Sequence, residues 1–289
     1  MPDHKPSPPD RKLTLVAPLA IVAIVLLLAL AGYLMSRSRP SPQTAGPPPA
    51  VTAPAAPVAA LPQPAPPLGR AELVASANAA SADYASGRTA PSRSDQMIGR
   101  SFSIRIPFGC EGPQAVASGK QASVEYDAAR KTVTLAAQPA ILTTLPLIQQ
   151  LRDASDIEDA EGFWIPRPWM LSETCPPHRD IPAPATPTPP AAPTLGLVQL
   201  FESGGSRVLR RDGRPYQHVR KVGEQAPGLL AHPYRLLLEG RIVGYRDGEA
   251  IHCWAESPDH RPLCLYAVAF EHVAFEDATD GKALAEWGP

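Results

Sequence analysis

The residues with the richest chemistry are His252, Cys253, His260 and Cys264, which together spell H-C-x6-H-x3-C. Four nitrogen and sulfur donors at such spacing invite tetrahedral zinc. Adjacent residues on a strand point to opposite faces, however, so His252 and Cys253 do not readily reach one metal. Cys253 and Cys264 also flank the turn signal Ser257-Pro258-Asp259-His260 symmetrically, its centre falling between Pro258 and Asp259. Directly opposed hairpin residues have Cβ atoms about 4.5–5.5 Å apart, and a small adjustment brings them to disulfide range. A Cys253–Cys264 bridge leaves Cys110 to pair with Cys175. Four cysteines with no C-x-x-C fit two disulfides in an oxidising compartment better than a cytosolic metal site. Neither a metal nor a cofactor is expected.

Asp259 and His260, with Glu256 nearby, form an acid/base combination, but a general base needs a positioned partner, and hairpin tips are solvated. Ser203-Gly204-Gly205-Ser206 is a glycine turn without the strand and helix context of a nucleotide loop. No nucleophile elbow, H-E-x-x-H, P-loop or dinucleotide fingerprint is present. No catalytic residue is assigned, and the balance leans away from an enzyme.

Two surface chemistries remain. Arg207, Arg210, Arg211, Arg214, Arg220 and Lys221 face only Asp212 in their own stretch. They form a candidate patch for an anionic lipid, acidic protein or wall polymer, the plainer account being a solvated strand-and-turn face. Phe163, Trp164 and Trp169 form a candidate aromatic patch for a peptide or glycan, with core packing as the plainer account.

The elements that must carry these groups are mainly strands. Phe102, Ile104 and Ile106 alternate with polar residues across 101–107, as do the apolar positions of 121–127 and 131–138. Asp127–Arg130 reads as a hairpin turn and 141–152 as a short helix; after an acidic run from Asp153 to Glu161, 162–169 reads as extended. An Ala-rich stretch over 71–86 reads as a weak or frayed helix. Farther on, 234–245, 249–255 and 263–275 read as a three-stranded meander, with Asp247-Gly248 as a two-residue hairpin turn that places Ile242 opposite Cys253. Pro176–Pro193 carries eight prolines in eighteen residues and reads as a linker between two lobes.

The amino-terminal part sets the location. Leu13–Met35 is free of charge and, as a helix, is about 35 Å long, enough for the roughly 30 Å hydrocarbon core of a bilayer. It outlasts a signal peptide's apolar stretch of about 7–15 residues, which favours a retained anchor over cleavage at Ala29-Leu30-Ala31. Lys5, Arg11 and Lys12 before it, against Arg37 and Arg39 after it, favour an amino terminus inside. Pro40–Pro67 holds eleven prolines in twenty-eight residues. As a polyproline II spacer it reaches on the order of 80 Å. Of the 27 basic residues only 6 are lysine, and asparagine occurs once, a bias of GC-rich, bacterial genomes. No N-x-S/T sequon exists. Beyond residue 70 the chain has 27 − 6 = 21 basic and 28 − 2 = 26 acidic residues, which with its location excludes nucleic acid as a partner.

The expected fold class is α+β, mainly antiparallel β. The expected order is a cytoplasmic tail (1–12), a transmembrane helix (13–35), a Pro/Ala-rich spacer (36–70), a first β-rich lobe (71–175), a Pro-rich linker (176–194) and a second meander lobe (195–289). Each lobe is expected to carry one disulfide. The expected protein is a single-pass bacterial inner-membrane protein with its carboxyl-terminal part periplasmic. It would dock an envelope protein partner rather than catalyse; the alternative is an envelope enzyme or binding module for a wall carbohydrate or peptide.

Overall fold

In the computed structural model, residues 65–88, 95–113, 120–153, 156–177, 192–222 and 232–289 are described. The apolar run 13–35, nearly all of the first spacer and most of the second proline tract lie outside them. Among the described residues no helix is long and apolar enough to cross a membrane.

The first alternating segment forms strand β1 (Ser101–Phe108), which buries Phe102, Ile104 and Ile106. Next come β2 (Ala122–Asp127) and β3 (Thr132–Ala137), paired antiparallel around a turn in which the Arg130 amide donates to Asp127 Oδ1 at 3.0 Å. Ahead of β1, helix α1 (Arg70–Ala85) is firmer than its composition predicts. The Gly69 amide donates to the Glu72 carboxylate at its start. Arg70, Leu73, Val74 and Ala77 bury one face, the i, i+3, i+4, i+7 stripe of a helix lying on a sheet. Tertiary packing overrides the weak local preference.

The remaining elements are β4 (Ala140–Ile141), α2 (Pro146–Asp153), β5 (Ile157–Trp164), β6 (Leu195–Glu202), β7 (Tyr216–Lys221), β8 (Tyr234–Ile242), β9 (Ile251–Trp254), β10 (Leu263–Asp277) and β11 (Ala283–Trp287). The fold is mostly β with few helices and mainly antiparallel pairing. A large sheet runs β1-β8-β10-β6-β5-β4, with β9 and β11 also paired to β10, and a small sheet runs β2-β3-β7. The main core gathers α1, one face of the large sheet and the inner face of the small one. A second cluster, including Leu147, Ile148, Ala160, Val198 and Leu265, lies on the opposite face under α2. β10 serves both, sending Tyr266 and Val268 to the first and Leu265 and Ala267 to the second. That double duty explains its near-continuous apolar sequence.

Two expectations are corrected. The first is the β8–β9 hairpin around Asp247-Gly248. Gly248 does turn the chain, with φ of 86°, but Ile242 lies opposite Val268, not Cys253. Val243 N–H donates to Ala267 O at 2.9 Å, and Ala267 N–H donates to Ala250 O at 3.1 Å. β8 and β9 are thus successive parts of one edge along β10, interrupted by the excursion 244–249, which carries Tyr245 to the second cluster. The second correction concerns the lobes. β1 pairs with β8 and β5 with β6, so strands from both sides of the 176–194 tract share one sheet. Both sides fall in one compact unit, Pro62–Pro289. Proline density marks where regular pairing stops; it does not decide which strands the flanks choose. With β2 committed to β3, β1 takes its backbone partner from β8.

Both disulfides are present. Cys253 and Cys264 are directly opposed in the β9–β10 ladder, with Cα atoms 4.1 Å apart, the register that the Pro258-Asp259 turn predicts. Cys110 is bonded to Cys175, Cα atoms 5.6 Å apart, tying the end of β1 to the segment after Leu171.

Candidate functional site

The later part of the acidic run before Gly162, Glu158 to Glu161, lies on strand β5, and it answers the arginine stretch. Arg207 pairs with Glu158. Arg210 reaches Glu158 Oε1 at 3.2 Å, Asp159 Oδ2 at 3.1 Å and Asp212 Oδ1 at 2.6 Å, with its guanidinium 5.5 Å from the centre of the Phe201 ring. Hydrogen bonds from Arg207 and Arg210 hold the Glu158 carboxyl below its ordinary range, and Glu158 in turn raises Arg210. The Arg211 guanidinium donates to the carbonyls of Arg214 and Pro215 and lies over the Tyr216 ring at 4.6 Å. Burial pushes the Tyr216 hydroxyl up to about 12. Arg214 is 3.8 Å from Asp212. Four of the six predicted cations are therefore engaged within the protein, which corrects the single basic patch. The other two diverge on β7: Arg220 is half-buried toward the inner face, in register with Val133, and Lys221 is exposed on the outer face.

Asp159, Glu161 and Asp212 bring carboxylate oxygens within 4.8 Å of one another. Arg210 compensates two of them, and the Arg211 amide donates to Glu161 at 2.8 Å. The other Glu161 oxygen is buried with no hydrogen-bond partner among the described residues. It adjoins a hollow with Gln199, Tyr216 and Phe270 that has room for about one water. A second hollow, beside Asn78, Pro168 and Arg261, is of similar size.

The H-C-x6-H-x3-C residues, read above as a disulfide pair rather than a zinc site, do not meet at one point. The two cysteines are bonded to each other, His252 Nε2 lies 2.9 Å from Asp247 Oδ2, and His260 Nδ1 lies 2.8 Å from Ser257 Oγ. That Ser257 hydroxyl also accepts from the Asp259 amide, so Asp259 and His260 belong to an exposed turn. Gly204 and Gly205 form the tight turn after β6.

The aromatic trio also separates. Phe163 is in the main core, with ring centroids 5.7 Å from Phe270 and 6.3 Å from Tyr216. Trp164 turns to the opposite face, and its backbone is gripped at both N–H and C=O by the Gln121 amide. Trp169 alone projects, 64% exposed, with Leu171 at 59%.

The loop bearing Trp169 and Leu171 is held from beneath by a residue that sequence patterning did not single out. Arg70, 4% exposed, donates from Nε to Met170 O at 2.7 Å and from Nη2 to the carbonyls of Pro166 and Arg167. Burial lowers its pKa, opposed by Glu173. Farther along, the Glu173 carboxylate accepts the Arg105 amide at 3.0 Å, and Cys175 anchors the segment to Cys110. The one signal for Arg70 in the sequence is a charge at the first buried position of the α1 stripe.

Comparison with protein-family models, curated proteins and solved structures returns no match to this chain.

Proposed function

We propose that this chain is a membrane-tethered docking protein. A single span at 13–35 and a proline-rich spacer present a disulfide-braced extracytoplasmic domain to an envelope protein partner. The observation that carries the docking role is the Trp169–Leu171 loop. Two large apolar side chains stand exposed on backbone that a buried arginine and a disulfide hold in place. An aromatic anchor fixed in advance loses little freedom on binding, which is the character of an interface hot spot. Disulfide bonding supports the extracytoplasmic side. Water-sized hollows and a carboxylate cluster compensated by Arg210 and the Arg211 amide favour docking over turnover.

The test is co-purification of the full chain from detergent-solubilised membranes, alongside a Trp169→Ala/Leu171→Ala variant. A partner retained by the native chain and lost with the variant, at unchanged melting temperature, is the expected result. Equal retention by both forms would refute the assignment of this loop.

A further inference from the structure

We propose that β7 is a second docking edge, which takes an extended acidic peptide as an added strand of the small sheet. Among the described residues, β7 is paired on one side only, to β3. Val222 N–H donates to Lys131 O at 2.9 Å, which sets the phase of that antiparallel ladder. Backbone groups of Tyr216, His218 and Arg220 therefore face β3, while those of Gln217, Val219 and Lys221 face away. Among the described residues, these outward N–H and C=O groups have no partner. The strand has no proline and its register is unbroken from Tyr216 to Lys221, so two of the usual devices that blunt an edge are missing. Val219 at its middle is 54% exposed.

Charge selects what can pair there. Arg207, Arg210, Arg211 and Arg214 are satisfied by carboxylates or carbonyls, whereas Arg220 and Lys221 have no ion pair among the described residues. With His218, β7 carries cationic or neutral side chains alone. A second copy of this edge would bring two cationic strands together, which disfavours self-pairing. An acidic strand meets the same charges as partners, so the guard against one occupant becomes recognition of the other. Its backbone supplies the hydrogen bonds, as in other strand additions. On the outer face, Gln217, Val219 and Lys221 stand beside Ala136, Thr134 and Thr132, small side chains that leave an incoming strand uncrowded.

The experiment measures fluorescence anisotropy of a labelled peptide of alternating glutamate and valine with the full chain in detergent. Saturable binding is expected, weakened at least about tenfold by Lys221→Glu, abolished by Val219→Pro, and weakened at least about tenfold by methylating every peptide nitrogen. The Val219 amide faces outward, so its loss removes no bond to β3; should that variant nonetheless unfold by circular dichroism, the methylated peptide decides. Equally tight binding of oligoglutamate, or of the lysine counterpart peptide, would overturn strand addition. So would the absence of binding up to about 1 mM, or self-association through this edge that Val219→Pro abolishes.

Discussion

Replacing Arg70 by methionine tests how the Trp169 loop is held. The side chain is 4% exposed and donates to three carbonyls, those of Pro166, Arg167 and Met170. Hydrogen bonds from a charged donor contribute about 1.5–3 kcal/mol each, against which stands the cost of burying the guanidinium. The volume-matched methionine restores packing but leaves those carbonyls without a donor. The net loss works out at about 3 kcal/mol, because part of the gross gain is consumed by desolvation. For a domain of this size that lowers the melting temperature by about 6–12 °C. Arg70→Lys should fall between, since one ammonium cannot span three separate carbonyls. Hydrogen exchange supplies the local readout: amides of 167–172 should lose protection well before those of β8. A methionine variant that melts within about 1 °C of the native protein, with unchanged exchange in that loop, would refute the clamp.

Further outcomes follow from other contacts. Replacing both Cys253 and Cys264 by alanine should cost somewhat under about 3 kcal/mol, since the closed loop is short, and leave the fold intact on a melting curve; non-reducing peptide mapping should recover Cys253 joined to Cys264. Gly240→Ala should be poorly folded or lose at least about 4 kcal/mol by chemical denaturation, because the new Cβ would sit 2.1 Å from Ala269 O. Acid should destabilise the protein through Glu239. Burial pushes its carboxyl up, but hydrogen bonds from His272 and Ser103 more than offset that and hold it below the ordinary glutamate range. Its contribution is therefore present above the unfolded value and lost as pH falls through the lower folded one, so Glu239→Gln should flatten the acid limb of a stability–pH curve.

Much of this fold can be read from local pattern. The strands around Phe102, Val124 and Val133 show their period of two, and the distance of each cysteine from Pro258-Asp259 identifies a disulfide register. What escapes is whatever depends on a distant partner. Glu158, Asp159 and Glu161 look like a solvated acidic run until Arg207, Arg210 and Arg211 arrive some fifty residues later. The same arginines look like an exposed patch until β5 is set beside them. Asp247-Gly248 is a sound turn signal, yet β10 is long enough to pair with β8 and β9 in succession, and that competition is not visible in the turn itself. Trp169 and Phe163 have similar composition around them; Phe163 is buried because it lies on β5, whereas Trp169 lies past the end of that strand, in the loop whose carbonyls Arg70 holds.

The place of β10 in the large sheet has a kinetic consequence. Residues 263–277 join β6, β8, β9 and β11. A chain that emerges amino terminus first thus has no assembled large sheet until residues 263–277 arrive. Until then β8 and β6 must each wait with one unpaired edge, exposed to wrong partners. Oxidation, by contrast, has a favourable schedule. Cys110 and Cys175 are available to each other well before either later cysteine, and Cys253 then meets Cys264 across a short loop. Order of appearance alone steers the four thiols toward the native pairs, in step with the strands that will finally hold them.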